Sequence, residues 1–406
     1  MSAAKTAQVR GHKPDYVLAL IIFTLLAFGL VIMYSISPVL SQKLVGNTGR
    51  NYYFYQQMIN ITVGLGAWIV ATKVYYRRWA DWAPYLMILS FLALLALLVP
   101  GLSFATNGAT RWLKLGPASF QPAELLKLST VLYLAAWFER RQDQIKTFWD
   151  GLAPFTVIIG VVAFTLVVMQ RDMGTMVVLV ASAVAMYYVA GARLQHFMAL
   201  IVAGLASSWL LIVTFPNRLQ RLTTFLNPSK DPNGVGYHVT QALIAVGSGG
   251  IVGRGLGRSL QIYGYLPEAA NDSIFAVIGE EFGFIGSVLL IGLFAMLVYR
   301  GLKIAAAAPD SFGRLVGVGI AIWLGVQALV NISAMLSLVP LTGIPLPFIS
   351  YGGTSLVFAL FGAGILLNIS KYSVNEVNHA NSGQRRRNGW ARNADTGNGR
   401  RVKVAR

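Results

Sequence analysis

Ten separate runs of about 17 to 25 predominantly apolar residues punctuate the chain, and about 20 such residues carry a helix across the roughly 30 Å core of a bilayer. They lie at 16–36, 55–75, 82–100, 121–138, 152–170, 173–191, 196–215, 273–298, 315–338 and 354–370. In lipid every backbone amide must find its partner within the fold, so a run of this length has to be a helix. The expected fold is an all-α polytopic membrane protein of about ten transmembrane helices, with a large extracytoplasmic loop (216–272) between spans seven and eight. Only 12% of the 406 residues are charged, against about 25% in an ordinary soluble domain. The first run is full length and lacks a small-residue cleavage site, so no cleavable signal peptide is expected.

Lysine and arginine in the loops set the expected orientation. With the N-terminus inside, 22 of the 33 basic residues fall on the cytoplasmic side and ten on the other, with Lys127 inside a span. Both termini are therefore read as cytoplasmic in the cytoplasmic (inner) membrane. The division is a short N-terminal tail (1–14), a transmembrane domain (15–372) and a basic tail (373–406). That tail, "SGQRRRNGWARNADTGNGRRVKVAR", has the composition of a disordered topology anchor that meets anionic lipid. The net charge of +18 predicts no nucleic-acid partner, because no folded basic face is visible. Cysteine is absent, which excludes disulfides and thiolate metal sites.

Four polar clusters interrupt the apolar pattern. The stretch "YLPEAANDSIFAVIGEEFGFIG" carries Glu268, Asp272, Glu280 and Glu281, four of only 15 acidic residues. Pro267 suits the first turn of a helix, which would place Glu268 and Asp272 on one face and the other two about 12 Å deeper. The helix dipole favours carboxylates at its first turn, while Glu280 and Glu281 would pair with polar groups across the bundle. Asp272 would stand where loop, water and membrane cavity meet, and partial burial there raises a carboxylate pKa toward that of a general base.

In "NGATRWLKLGPASFQPAELLK", Pro122 opens a helix with Glu124 and Lys127 on one face, suited to an ion pair or to a substrate. Arg111 lies in the preceding loop, free to meet an anion. In "QRDMGT", Asp172 is either a hairpin cap or a cavity carboxylate. The stretch "NISAMLSLVPLTGIPLPFISYGGTS" breaks at Pro340, Pro345, Pro347, Gly352 and Gly353, and irregular backbone at membrane depth must be buried in protein or line a cavity. All four clusters are expected to converge on one outer-leaflet cavity.

Loops of about 57 residues in a compact bundle are usually functional. Within 216–272, "YHVTQALIAVGSGG" reads as a short amphipathic helix stopped by glycines. Arg218, Arg221, Lys230, Arg254 and Arg258 outnumber Asp231, Glu268 and Asp272, a balance suited to an anionic substrate such as a phosphorylated lipid. "GSGGIVGRGLGRS" lacks the lysine and spacing of a phosphate loop, so no nucleotide is expected. It reads as an irregular turn whose backbone approaches a ligand.

Taken together, "GATRWLKLGP…FQPAELLK", "NP…DPNGVGYHVTQALIAVGSGGIVGRGLGRSLQ", "YLPEAANDSIFAVIGEE" and "VPLTGIPLPFISYGGTSL" resemble the SEDS family (shape, elongation, division and sporulation). The resemblance runs over about residues 15 to 372, and "GRGLGRSLQ" is closer to its division branch. It implies a peptidoglycan glycosyltransferase that polymerises lipid II into β-1,4 glycan strands at the outer face of the membrane, at the division septum. The family pattern PE-x-H-T-D-F-I-F-A puts catalysis on Asp272 with Glu268. Here Ala270, Asn271 and Ser273 replace its His, Thr and Phe. Arg111, Glu124, Lys127, Asp172, Arg254, Arg258, Ser259 and Gln261 become the expected substrate-binding positions. A class B penicillin-binding protein transpeptidase and other divisome membrane proteins are the implied partners, and Mg or Mn the implied divalent cation. A lipid II flippase, an elongation enzyme and a non-catalytic scaffold are the competing readings. Polar groups along a whole transmembrane path would mark the flippase.

Overall fold

The computed structural model describes residues 13–45, 51–106, 109–116, 118–228, 231–232 and 234–372. The basic tail, most of the N-terminal segment and Lys230 lie outside them. The first half contains α1 (Tyr16–Val45), α2 (Tyr52–Lys73), α3 (Arg78–Ala96) and α4 (Pro122–Arg140). Two π-helical turns, Phe148–Leu152 and Thr165–Met169, bracket α5 (Ala153–Phe164), followed by α6 (Met173–Val189) and α7 (Leu194–Thr214). Then come α8 (Pro216–Leu226), α9 (Val235–Ser248), α10 (Ile274–Ala306), α11 (Ser311–Met335) and α12 (Gly353–Ser370).

Each of the ten apolar runs holds one of these helices, but seven helices among the described residues are long and apolar enough to span by that measure alone. Three fall outside it: α2 and α4, which carry more polar residues, and α6 at 17 residues. The bundle is built round α11 and α12, which are buried along most of their length. Helix α12 packs on α2, α11 on α10, α6 and α4, and α4 on α3. By contrast α7 has no buried residue.

Three local expectations change. The stretch ahead of α4 is a three-stranded antiparallel sheet, β1 (Ser103–Thr106), β2 (Ala109–Leu115) and β3 (Ala118–Phe120), so Arg111 sits on a strand and not in an open loop. The segment after α7 is not irregular throughout: α8 precedes the expected α9. And Pro267 begins no helix; residues 264–273 form successive turns, with α10 starting at Ile274. The reason is competition for carbonyls. Tyr351 N–H donates to Ala270 O (2.8 Å), Ser350 Oγ to Asn271 O (2.6 Å) and Asn331 Nδ2 to Asp272 O (2.7 Å). Those oxygens would otherwise have accepted helical amides.

Candidate functional site

Asp272 is held on a turn strapped from the opposite side by the proline-broken segment after α11. Asn331, on the last turns of α11, bridges Asp272 O and Ile344 O, each at 2.7 Å. Ser350 Oγ donates to Asn271 O while accepting from Leu346 N–H at 2.8 Å. Glu268 adopts a left-handed φ of +48°, and Arg171, Ser337 and Phe348 do so at +53°, +54° and +66°. Non-glycine residues in that region cost about 1–3 kcal/mol each and persist where surrounding contacts fix them. Gly343, at φ +71°, comes so close that a Cβ there would lie 3.7 Å from Asp272 Oδ2.

The Asp272 carboxyl is buried on one side: its Oδ1 is shut from water and accepts no hydrogen bond. Its pKa is raised to about 7, first by loss of solvent and then by the neighbouring charge of Glu268. The backbone amides of Asp272 and Ser273 and the Arg221 guanidinium pull the other way. Glu268 itself is exposed and accepts from Asn271 Nδ2 at 2.5 Å. On α9, His238 Nε2 lies 2.6 Å from Ser273 Oγ, which donates onward to Pro267 O at 2.8 Å. A hydroxyl has one proton, so His238 Nε2 must carry the other and donate it. Burial holds this imidazole below its usual pKa.

Arg221 of α8 reaches toward the same place. Its charge is coupled to Asp172, Asp272 and Arg111, with burial lowering its pKa first and the repulsion of Arg111 second. Arg111 donates from Nε to Gln170 O (3.0 Å) and from Nη2 to Arg171 O (2.7 Å), tying the sheet to the hairpin before α6. Asp172 caps α6: Oδ1 accepts from Thr175 N–H and Oδ2 from Thr175 Oγ1, both at 2.9 Å. Glu124 and Lys127 form a buried ion pair at 2.8 Å. Lys127 Nζ also donates to Gln327 Oε1 (2.9 Å), whose Nε2 donates to Pro345 O (2.9 Å), so this pair too is linked to the broken segment.

Arg254, Arg258, Ser259 and Gln261 belong to a second assembly, against α10. That helix is broken at Gly283 (φ +66°). The glycine run lies in the break, Arg254 N–H and Gly255 N–H donating to Glu280 O and Glu281 O, both at 3.0 Å. A Cβ at Gly253 would strike Glu281 O, and one at Gly249 would strike Gly279 O. The close approach demanded by these glycines is therefore to α10. Ser259 Oγ donates to Glu280 Oε2 at 2.5 Å and Leu260 N–H to its Oε1 at 2.9 Å. Ser35 Oγ and Gly257 N–H donate to Glu281 Oε1 at 2.7 and 3.0 Å. Arg258 is exposed, and Gln261 keeps a buried Oε1 without a partner.

Asn331, Gln327, Ser350 and His238 organise the site but were not singled out in the sequence. A signal existed for two of them: Gln327 and Asn331 are four apart in an otherwise apolar span, hence on one face. Among the described residues no three His, Asp or Glu side chains come close enough to hold a metal without help from a ligand.

A sequence profile of cell cycle proteins of the FtsW, RodA and SpoVE type matches residues 16–375. The chain is 40% identical over 362 residues to stage V sporulation protein E of Bacillus subtilis (strain 168), covering 89% of this chain and 98% of that one. It is 39% identical over 363 residues to a probable peptidoglycan glycosyltransferase FtsW of Geobacter sp. (strain M18), with the same coverage. Among solved structures, one chain of a peptidoglycan synthase complex that coordinates polymerization and crosslinking superposes with a TM-score of 0.73 at 28% identity. The rod shape determining protein RodA of Thermus thermophilus does so at 0.65 and 27%. Both matches cover 89% of this chain and 98% of the other.

Proposed function

This chain belongs to the family of cell cycle proteins that includes FtsW, RodA and SpoVE, and from that premise we propose that it is a peptidoglycan glycosyltransferase acting on lipid II, with Asp272 as its general base. One observation carries the assignment of the base: Asp272 Oδ1 is a buried carboxylate oxygen with no donor, on a carboxyl whose pKa is about 7. A base is most effective when its pKa is near the working pH, and an oxygen already saturated with donors could not take a proton.

In the proposed step the 4-hydroxyl of the acceptor GlcNAc gives its proton to Asp272 Oδ1. The oxygen attacks C1 of the donor MurNAc, and the bond from C1 to the undecaprenyl diphosphate breaks with its electron pair on the leaving group. The configuration inverts and a β-1,4 bond forms. Positive charge near the diphosphate stabilises the transition state; Arg221 and Arg111 are the two guanidiniums grouped with Asp272 and Asp172. In the alternative arrangement Asp272 or Glu268 would hold a divalent cation instead of acting as base, and the cation would supply charge neutralisation at the diphosphate. Lipid II binding measured with and without chelator tests that arrangement separately from turnover.

Support for a polymerase over a flippase comes from depth. Among the described residues the fully buried charged side chains are Glu124, Lys127, Asp172, Glu280 and Glu281. Each lies at the start or within the first third of α4, α6 or α10, so no line of buried charges runs the length of the bundle. The buried polar residues at the other end, Thr72, Asn368 and Ser370, are uncharged. The orientation proposed places this end outside the cytoplasmic membrane. A class B penicillin-binding protein is the proposed partner, by likeness to the synthase complex. Septal division is the proposed setting, and the 40% identity to the sporulation protein favours spore wall synthesis as a second. Polymerisation of purified lipid II by the reconstituted protein and its transpeptidase, wild type against Asp272→Ala, tests the reading. Glycan strands from the wild type alone support it. Equal strands from both remove Asp272 as base, and lipid II scrambling across vesicles without strands means a flippase.

A further inference from the structure

At the far end of the bundle from Asp272, the ends of α4, α6 and α11 enclose a cleft of 240 Å³. Ser311 and Asn331 stand 20 residues apart on α11, about 30 Å at 1.5 Å per residue, so this cleft shares nothing with the site above. Its floor is apolar, from Phe138, Ala190 and Leu315, and its rim is Gln142, Lys146, Ser311 and Arg314.

The charge on this rim is unbalanced. Glu139 and Asp310, each next in the chain to a lining residue, are already engaged: Arg77 contacts Glu139 at 2.7 Å and Asp310 at 3.4 Å, and Tyr76 Oη donates to Asp310 at 2.6 Å. Asp310 also caps α11 through Gly313 N–H at 2.7 Å. Asp150 Oδ2 accepts from Thr147 Oγ1 and the Asp150 N–H donates back to the same hydroxyl oxygen, and Asp143, next to Gln142, does not line the cleft. Lys146 and Arg314 thus have no carboxylate partner among the described residues. Gln142 Nε2 donates to Ser311 Oγ at 2.6 Å, which leaves the Ser311 hydroxyl proton free to donate into the cleft.

Aromatic side chains fix the depth. Trp149 and Tyr188, on the neighbouring ends of the α5 segment and α6, are 80% and 51% exposed. Large amphipathic rings left open beside membrane helices mark the headgroup level of a bilayer. A cleft with two unpaired cations, a hydroxyl donor and an apolar floor, opening at that level, matches a phosphate diester with acyl chains.

We propose that the cleft between the ends of α4, α6 and α11 is a binding site for the phosphate headgroup of an anionic phospholipid. Basic pockets between membrane helices hold such headgroups through paired cations. The site is independent of the catalytic reading.

The test is native mass spectrometry of the full-length protein in detergent, titrated with phosphatidylglycerol, with phosphatidylcholine and with inorganic phosphate. Wild type is expected to retain phosphatidylglycerol and not phosphatidylcholine. Lys146→Ala/Arg314→Ala should weaken retention about 25-fold, a factor of about five for each cation removed. Arg78→Ala, which removes an exposed charge outside the cleft, should leave it unchanged. Should the double variant not fold, Lys146→Gln alone should weaken binding about fivefold. Equal loss in Arg78→Ala, equal retention of phosphatidylcholine, or binding of inorganic phosphate as tight as the lipid's would each overturn the proposal.

Discussion

Two pairs of carboxylates sit within 14 residues of each other, and the protein treats them in opposite ways. Glu280 and Glu281 are buried, and each accepts from a serine hydroxyl and a backbone amide at 3.0 Å or less. On Glu280 these cover both oxygens, whereas on Glu281 both fall on Oε1 and Oε2 keeps no partner. Asp272 is half-buried, yet its Oδ1 is enclosed with no donor, while Glu268 stands exposed beside it. A buried acceptor left unpaired costs about 1–3 kcal/mol. The fold has polar groups nearby that could have removed this cost: Asn331 and Ser350 bond to the backbone of the turn and not to the carboxyl. What separates the two kinds of carboxylate here is therefore not depth but the side-chain donor: Ser259 and Ser35 serve Glu280 and Glu281, and among the described residues no side chain donates to Asp272.

Changing both kinds of carboxylate is the strongest way to break this comparison. Asp272→Asn should reduce lipid II polymerisation by about 10²–10⁴-fold, the usual contribution of a general base. It should not lower the Tm at pH 8. The sign follows from the raised pKa: the folded protein carries the penalty of a charged, buried Asp272 only above the unfolded pKa, growing until pH passes about 7, and asparagine never carries it. Glu280→Gln should do the reverse, lowering stability by about 1.5–3 kcal/mol through its charge-assisted bonds. Its activity at a temperature where it remains folded should be close to wild type. Denaturation in detergent alongside the polymerisation assay reads both.

A smaller effect sharpens the electrostatics. Turnover of the wild type should rise with pH through about 7 and level off above it. Glu268→Gln removes a charge that raises the Asp272 pKa, so the rise should move to lower pH. Arg221→Gln removes one that lowers it, so the rise should move to higher pH. Opposite shifts, each under about one pH unit for a partly solvated pair, would be seen in the pH–rate profile. Smallest of all, His238→Ala should cost about 1 kcal/mol through the lost bond to Ser273, measured by thermal denaturation.

The helices were legible in the sequence because a bilayer makes the pattern coarse: a long apolar run can be little else. The sheet was not, because β2 is seven residues long and its alternation of Arg111, Leu113 and Leu115 with Thr110, Trp112 and Lys114 is brief. The buried Glu124–Lys127 pair followed from their spacing, and α9 from its glycine stop. The proposed helix start at Pro267 failed because side chains 60 to 80 residues away take its carbonyls, information no local window holds. For the same reason the glycine run disclosed a close backbone approach but not its target. Arg221 was visible only as loop charge until α8 carried it toward Asp272.

The account stands most directly on the rate of glycan strand formation from lipid II at pH 8 by folded Asp272→Asn and folded Glu281→Gln proteins, each reconstituted with the same transpeptidase. Strands from the first should form at least about a hundredfold more slowly than from wild type, and those from the second at a near wild-type rate. Strands from Asp272→Asn at an undiminished rate would contradict it, and the open carboxyl oxygen would then need another purpose.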